Sequence, residues 1–249
     1  MTTNAHLFGG YASAYNAGRP GYPDALFDWV AEAAPGRAAV WDVGTGSGQA
    51  ALSLAERFDH VFAIDASADQ IAEAPEHAKI TFRVAPAEAS GLAGGSVDAV
   101  TVATALHWFD FPRFWAEVRR VCRPGAVFCG FTYGLTEADD ATHRLLLDPV
   151  LERIDPYWSA GNKLSLRGYQ PEEIGFPFAP LDPPPIRHTL QWSPERLVQF
   201  MRTWSAHVRA LDDGLRDEIT AIEEAALAAL GSAERTVVLP MTVRAGRVC

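Results

Sequence analysis

Basic residues are in short supply in this sequence. The 249 residues include 21 Lys and Arg against 31 Asp and Glu, a net charge of −10, and no run of cations forms a stripe. Nucleic acids are gripped by clustered Lys and Arg on the phosphates, so a nucleic-acid partner is not expected. Cysteine is scarcer still. Cys122, Cys129 and Cys249 form no CxxC pair, and their odd count points to buried or terminal thiols in a reducing cytosol. No apolar run approaches the ~18 residues of a membrane helix, and MTTNAHLFGG has neither the basic nor the apolar region of a signal peptide. A cytoplasmic location, away from any membrane, is therefore expected. His6, His60, His77, His143 and His188 show no metal-ligand spacing, so no metal site is expected.

What is present supports a globular chain. With 48% hydrophobic and 21% charged residues, it can bury a core. Its length fits one α/β domain, or one with a small lid. The most informative stretch is Ala38 to Asp65, AAVWDVGTGSGQAALSLAERFDHVFAID. An apolar run ends at Val43 just after Asp42, followed by Gly44, Gly46 and Gly48. Apolar residues at helical spacing come next (Ala51, Leu52, Leu54, Ala55, Phe58), then a second apolar run closed by Asp65. Strand, glycine loop, helix, strand and acid make up a nucleotide-binding βαβ unit. The glycines permit a sharp turn and close approach of a ligand to the main chain, and the helix start offers unpaired N–H groups to an anionic group. Asp65 ends the second strand, placed for two ribose hydroxyls.

The spacing separates nucleotides. The dinucleotide pattern G-x-G-x-x-G needs a further glycine where Gln49 stands, and no Lys-Ser or Lys-Thr pair follows to make a phosphate-gripping loop. What stands here is D-x-G-x-G-x-G, from Asp42 to Gly48. In that form the stretch resembles motif I of the S-adenosylmethionine-dependent methyltransferases with the Rossmann-like fold. AIDAS (Ala63 to Ser67) resembles their ribose-binding segment and PAEASGL (Pro86 to Leu92) the segment bordering the adenine. SVDAVTVATALHWFD (Ser96 to Asp110) resembles their fourth strand and its loop, and RPGAVF (Arg123 to Phe128) the turn into the fifth. The Y-x-x-x-Y…R-P-x-Y-P pattern near the start resembles the arm of small-molecule enzymes of the trans-aconitate methyltransferase type.

The resemblance implies a fold and a site. The fold is α/β: a Rossmann-like, seven-stranded, mostly parallel sheet with helices on both faces and an antiparallel final strand. The N-terminal arm and a late insertion form its lid. The whole chain reads as one domain, with the arm in 1–35, the cofactor-binding core in 36–135, and the capping insertion and C-terminal edge strands in 136–249. The implied cofactor is S-adenosyl-L-methionine. Its expected contacts are Tyr11, Arg19, Asp42, Gly44, Thr45, Gly46, Gly48, Asp65, Ala66, Gln70, Ala87, Glu88, Thr104 and Ala105. The substrate set is Tyr15, His107, Trp108, Tyr133, Trp158 and Trp204, with Arg19 and Arg202 as candidate cationic anchors and a small-molecule acceptor, possible carboxylates included. Methyl transfer leaves the protein mainly alignment and desolvation to perform. His107, just past the fourth strand, is the candidate base, unless it only shapes the pocket, and His207 reads as a helix-surface residue. A monomer or homodimer is expected.

Local patterns fill in the rest. Helices are expected over Ala25 to Ala33, from a Ser67 cap to about Glu73, from Pro112 with Phe114, Trp115, Val118 and Val121 inward, over Ala138 to Ile154, after Ser193-Pro194, and over Arg216 to Leu230. Strands are expected at Ile80 to Val84, Ala99 to Ala103, Ala126 to Phe131 and Ile186 to Trp192. Arg235 to Val248 reads as a strand or hairpin around Pro240, suited to a sheet edge. Residues 155 to 185 read as an insertion over the strand ends. Two DNA-methylating patterns do not fit: Asp182-Pro183-Pro184-Pro185 sits late and lacks an aromatic, and no Pro-Cys pair is present. The alternatives are a nicotinamide-dependent oxidoreductase, which Gln49 argues against, and a protein that binds the cofactor without turnover.

Overall fold

The computed structural model describes residues 19–249; Tyr11 and Tyr15 lie outside that range. At the centre is β1 (Val40–Val43), whose four residues are all buried. It pairs in parallel with β2 (Val61–Asp65) on one side and β4 (Val97–Ala103) on the other. A strand with neighbours on both sides and helices on both faces has no wet face, hence the unbroken apolar runs. Val40, Val61, Ala63 and Ala99 face a core shared with α1 (Asp24–Ala33) and α2 (Gln49–Ala55). Trp41, Val43, Ile64 and Val100 face the other way, towards α4 (Phe111–Val121). Between them come α3 (Ala68–Ala72), capped by Ser67, and β3 (Ile80–Val84). Phe114, Trp115, Val118 and Val121 are buried, as their spacing requires, and Asp110 caps α4.

The sheet runs β3-β2-β1-β4-β5-β8-β6, seven strands in one path, with β7 joined to β8 as an eighth. β5 spans Cys122–Tyr133, β6 Ala179–Leu181, β7 Arg187–Trp192 and β8 Arg235–Arg247. β5 is parallel to β4, whereas β8 runs antiparallel to β5, β6 and β7.

Three local expectations change. First, β8 is one continuous strand inside the sheet, with no hairpin and no edge position. Its Arg235 to Pro240 half pairs with β7 and its Met241 to Arg247 half with β5. Pro240 lies at the handover, and its carbonyl accepts the N–H of Gly134. A proline fits there because it has no N–H to donate to either partner. Second, the helix expected over Ala138 to Ile154 starts at Asp140 behind an Asp139 cap and passes through a π-helical turn, His143–Leu147, into α5 (Asp148–Ile154). Pro149 lacks the N–H that an uninterrupted α-helix would use at that point.

Third, only the first half of the 155–185 insertion stands over the strand ends, from Trp158 through α6 (Ala160–Leu166). After α7 (Pro171–Ile174), Phe176 and Phe178 pack edge-to-face against Trp115, and β6 extends the sheet as an edge. The aromatic residues that made the segment look like a lid serve the core here. Finally α8 (Pro194–Met201), α9 (Ser205–Ala210) and α10 (Arg216–Leu230) enclose a separate apolar cluster with Leu146, Ile154, Trp192 and Leu239.

Candidate functional site

Parallel strands deliver their following loops to one rim, where open α/β sheets take ligands. At this rim the loop after β1 turns at once, the N–H groups of Gly44 and Thr45 both donating to the Ile64 carbonyl. The three glycines have different reasons to be there. A Cβ at Gly44 would lie 2.6 Å from the Ala105 Cβ, and one at Gly48 would lie 2.7 Å from the Phe82 ring. Both are packing requirements. At Gly46 the nearest atom to such a Cβ is Gln70 Oε1 at 3.6 Å, an ordinary van der Waals contact, so packing does not require glycine there and its φ of +58° does.

Asp42 lies beneath this loop, fully buried. Its carboxylate accepts the Thr45 hydroxyl at 2.6 Å and the Thr101 hydroxyl at 2.9 Å. Burial pushes its pKa up to about 6, against those two hydrogen bonds. Asp65 is half-exposed at the end of β2 and accepts the N–H groups of Gly46 and Ser67, each at 2.8 Å. Burial raises its pKa, against these backbone donors. Ala66 beside it is exposed, and Gln70 is buried with its Oε1 lacking a partner among the described residues. Glu88 accepts the N–H of Asp110 at 2.8 Å, tying the loop after β3 to the start of α4, with Ala87 buried next to it. Thr104 adopts φ +55° after β4, and its hydroxyl is 3.0 Å from that of Tyr22.

These positions fit the bound group that such a loop implies. The backbone of Gly46 with no packing clash over it, a carboxylate with further lone pairs at Asp65 and the Gln70 amide oxygen, buried without a partner among the described residues, lie close together.

A cavity of ≈ 80 Å³ opens beyond Thr104. Its walls include His107, Trp108, Tyr133, Trp158 and Trp204, five substrate-set residues from four separate segments, together with Arg19. Arg19 was expected at the cofactor, yet its described contacts are in this wall: the Tyr133 hydroxyl, the Thr203 carbonyl at 3.3 Å and the Tyr133 and Phe200 rings. Arg202, the other candidate anchor, does not line the cavity; its guanidinium pairs with the buried Glu223. Glu223 also engages His207 at 3.1 Å, and His207 is 1% exposed, so it is a core residue and not a surface one. A wider depression of ≈ 310 Å³ adjoins the cavity and shares Leu135, Trp158 and Leu166 with it.

His107 Nδ1 is 2.8 Å from the hydroxyl of Tyr169, while its Nε2 is buried without a partner among the described residues. Burial and then the nearby Arg19 charge push the His107 pKa down to about 3. The folded chain therefore holds His107 neutral at pH values where the unfolded chain protonates it. Stability from this residue is complete above about pH 6.5 and is lost as pH falls towards 3. At pH 4 the parent should have lost on the order of 2–3 kcal/mol relative to His107→Asn, compared with the difference at pH 7. Asp42 acts in the opposite sense, gaining a proton in the fold between about pH 4 and 6, but it is common to both proteins. Denaturant melts of the two at pH 7 and pH 4 measure the term; an unchanged difference would refute the buried neutral imidazole.

Tyr169, Asn162 and Ser165 belong to or support this wall and carry no periodic or motif signal in the sequence, whereas Tyr22, whose hydroxyl meets Thr104, is the tyrosine of the R-P-x-Y-P pattern. Tyr169 and Ser165 sit in the Pro- and Gly-rich insertion, where only the fold reveals what they touch.

Comparison with known proteins agrees with this geometry. Residues 41–130, from the start of β1 through most of β5, match the family described as "Methyltransferase domain". A solved structure from Anaeromyxobacter dehalogenans, a proposed type II methyltransferase, is 41% identical with a TM-score of 0.81. The match covers 92% of this chain and 98% of that one. An uncharacterised methyltransferase of Mycobacterium tuberculosis is 40% identical over 122 residues, 47% of this chain and 48% of the relative. A proposed methyltransferase of Dictyostelium discoideum is 29% identical across 89% of this chain and 85% of its own length. With a near-full-length relative above the level where fold and family part company, and with the glycine loop and terminal acid in place, the chain belongs to the S-adenosylmethionine-dependent methyltransferases.

Proposed function

We propose that this enzyme methylates the carboxylate of a small organic acid, giving a methyl ester. The observation that carries this reading is the charge of the cavity wall. Among the described residues lining it, Arg19 is the one Lys or Arg, and no Asp or Glu is present. An anion is the complementary guest. Trp108, Trp158 and Trp204 suit an apolar or planar body, and the adjoining depression gives that body room to extend.

Gly46, Asp65, Ala66 and Gln70, with Ala87 and Glu88 bordering the adenine side, are the residues we assign to the cofactor. Asp42, Gly44, Thr45 and Gly48 shape the loop from below, and Thr104 and Ala105 close it towards the cavity. S-adenosylmethionine supplies an activated methyl group, which a carboxylate oxygen takes as the carbon–sulfur bond breaks and its electron pair returns to sulfur. A carboxylate is ionised at neutral pH, so no base is needed. A phenol or an enolisable carbon would need one, and an imidazole with a pKa near 3 is a weak base.

The test is a panel of aromatic and aliphatic acids, phenols and amines with S-adenosylmethionine, the products identified by mass spectrometry and by alkaline release of methanol. Methyl esters, formed at a rate flat between pH 6 and 9, are expected. Turnover confined to phenols or amines would defeat the proposal, as would a rate that follows one ionisation and loses that dependence in His107→Ala.

A further inference from the structure

The orphaned nitrogen of His107 leads to an inference about which proton the imidazole carries. We propose that Tyr169 holds His107 as the tautomer with its proton on Nε2, so that His107 offers an N–H to the acceptor and cannot serve as its base. Tyr169 is then a positioning residue, acting on the substrate through His107.

Tyr169 is held with unusual firmness. It is 0% exposed and adopts φ +51°, a conformation that a bulky residue enters only when its surroundings impose it. Those surroundings are visible. The Tyr169 N–H donates to the Leu164 carbonyl at 3.2 Å. Arg244, on β8, donates through one Nε to the carbonyls of both Gly168 and Tyr169, at 3.0 and 2.9 Å. Gly168 has its own φ of +76°. Two successive left-handed residues clamped by one guanidinium turn the phenol inward, where its oxygen reaches His107 Nδ1 at 2.8 Å.

The direction of that hydrogen bond follows from its neighbours. The hydroxyls of Ser165 and Thr132 pair with each other at 2.7 Å, and the phenol oxygen makes its hydrogen bond to His107 Nδ1. A phenol that donates to Nδ1 places its O–H on the best acceptor within reach, an imidazole nitrogen. The opposite direction, Nδ1–H donating to the phenol oxygen, would take that acceptor away from the buried phenol O–H. The phenol is also the most acidic hydroxyl of the set. An O–H donated to Nδ1 leaves the proton on Nε2, the nitrogen without a partner among the described residues, in a side chain that lines the cavity. A buried donor of that kind is satisfied by an acceptor oxygen arriving in the cavity.

The test needs no substrate and does not depend on the carboxylate reading. Long-range proton–nitrogen NMR on protein with labelled histidine distinguishes a protonated ring nitrogen from a bare one. The His107 signals are identified by their loss in His107→Asn. At neutral pH the parent should show a bare Nδ1 and a protonated Nε2, and in Tyr169→Phe the tautomer ratio should move roughly 2- to 10-fold towards Nδ1–H. A protonated Nδ1 in the parent overturns the proposal, and so does an unmoved ratio in Tyr169→Phe. Should that variant fail to fold, the parent spectrum alone decides.

Discussion

With alanine at position 65 the enzyme should bind S-adenosylmethionine roughly 10- to 150-fold more weakly, the loss of ~1.5–3 kcal/mol expected when a charged acceptor disappears. The Asp65 carboxylate already accepts from Gly46 and Ser67, and a carboxylate has lone pairs left over for ribose hydroxyls. Removing it withdraws those acceptors and frees the Gly46 N–H, loosening the cradle on which the ligand would rest. The half-exposed position lets water replace the lost partners in the ligand-free protein, so the thermal midpoint should fall much less than the affinity. Calorimetric titration with S-adenosylhomocysteine, paired with a thermal melt, separates the two. Equal affinity in variant and parent would sink the assignment of Asp65.

Arg19→Met should lower kcat/KM for the acid by about 30-fold to several thousand-fold, on the order of 2–5 kcal/mol, the range for losing one partner of a buried charge pair. Methionine keeps much of the length and apolar bulk against Tyr133 and Phe200, so the wall should stay standing. Affinity for S-adenosylhomocysteine should be unchanged, because the described Arg19 contacts lie in the cavity wall. The informative failure is the converse: cofactor affinity lost and acid turnover preserved would return Arg19 to the cofactor. A neutral analogue of the same acid, such as its amide, should bind parent and variant alike.

How much of this could be read from residues alone depended on distance along the chain. The β1–α2–β2 unit is local, so apolar periodicity, glycine spacing and the terminal acid all lie within one window, and each had a place waiting in the fold. His107 was legible as a residue at the end of β4, but its surroundings were not. The phenol that partners it arrives from 62 residues away, and no pattern marks that meeting. Arg202 shows the same gap in reverse. Its charge and helix suggested an anchor, whereas Glu223, one face of α10 away in the fold, had already claimed it. Pro240 misled for a sharper reason. Proline is usually kept to sheet edges, and the rule assumes that a strand has the same neighbours along its whole length. β8 changes neighbours at that residue.

That change of neighbours has a consequence for how the chain comes into being. The outer side of β5 finds its partner in Met241 to Arg247, so that side stays uncovered until more than a hundred further residues have been made. Until then β5, buried along nearly all its length in the finished protein, offers an apolar template to any other nascent strand. The order of synthesis thus leaves the cofactor half waiting on β8, and a pause or truncation ahead of Met241 is where this enzyme should be most prone to aggregate.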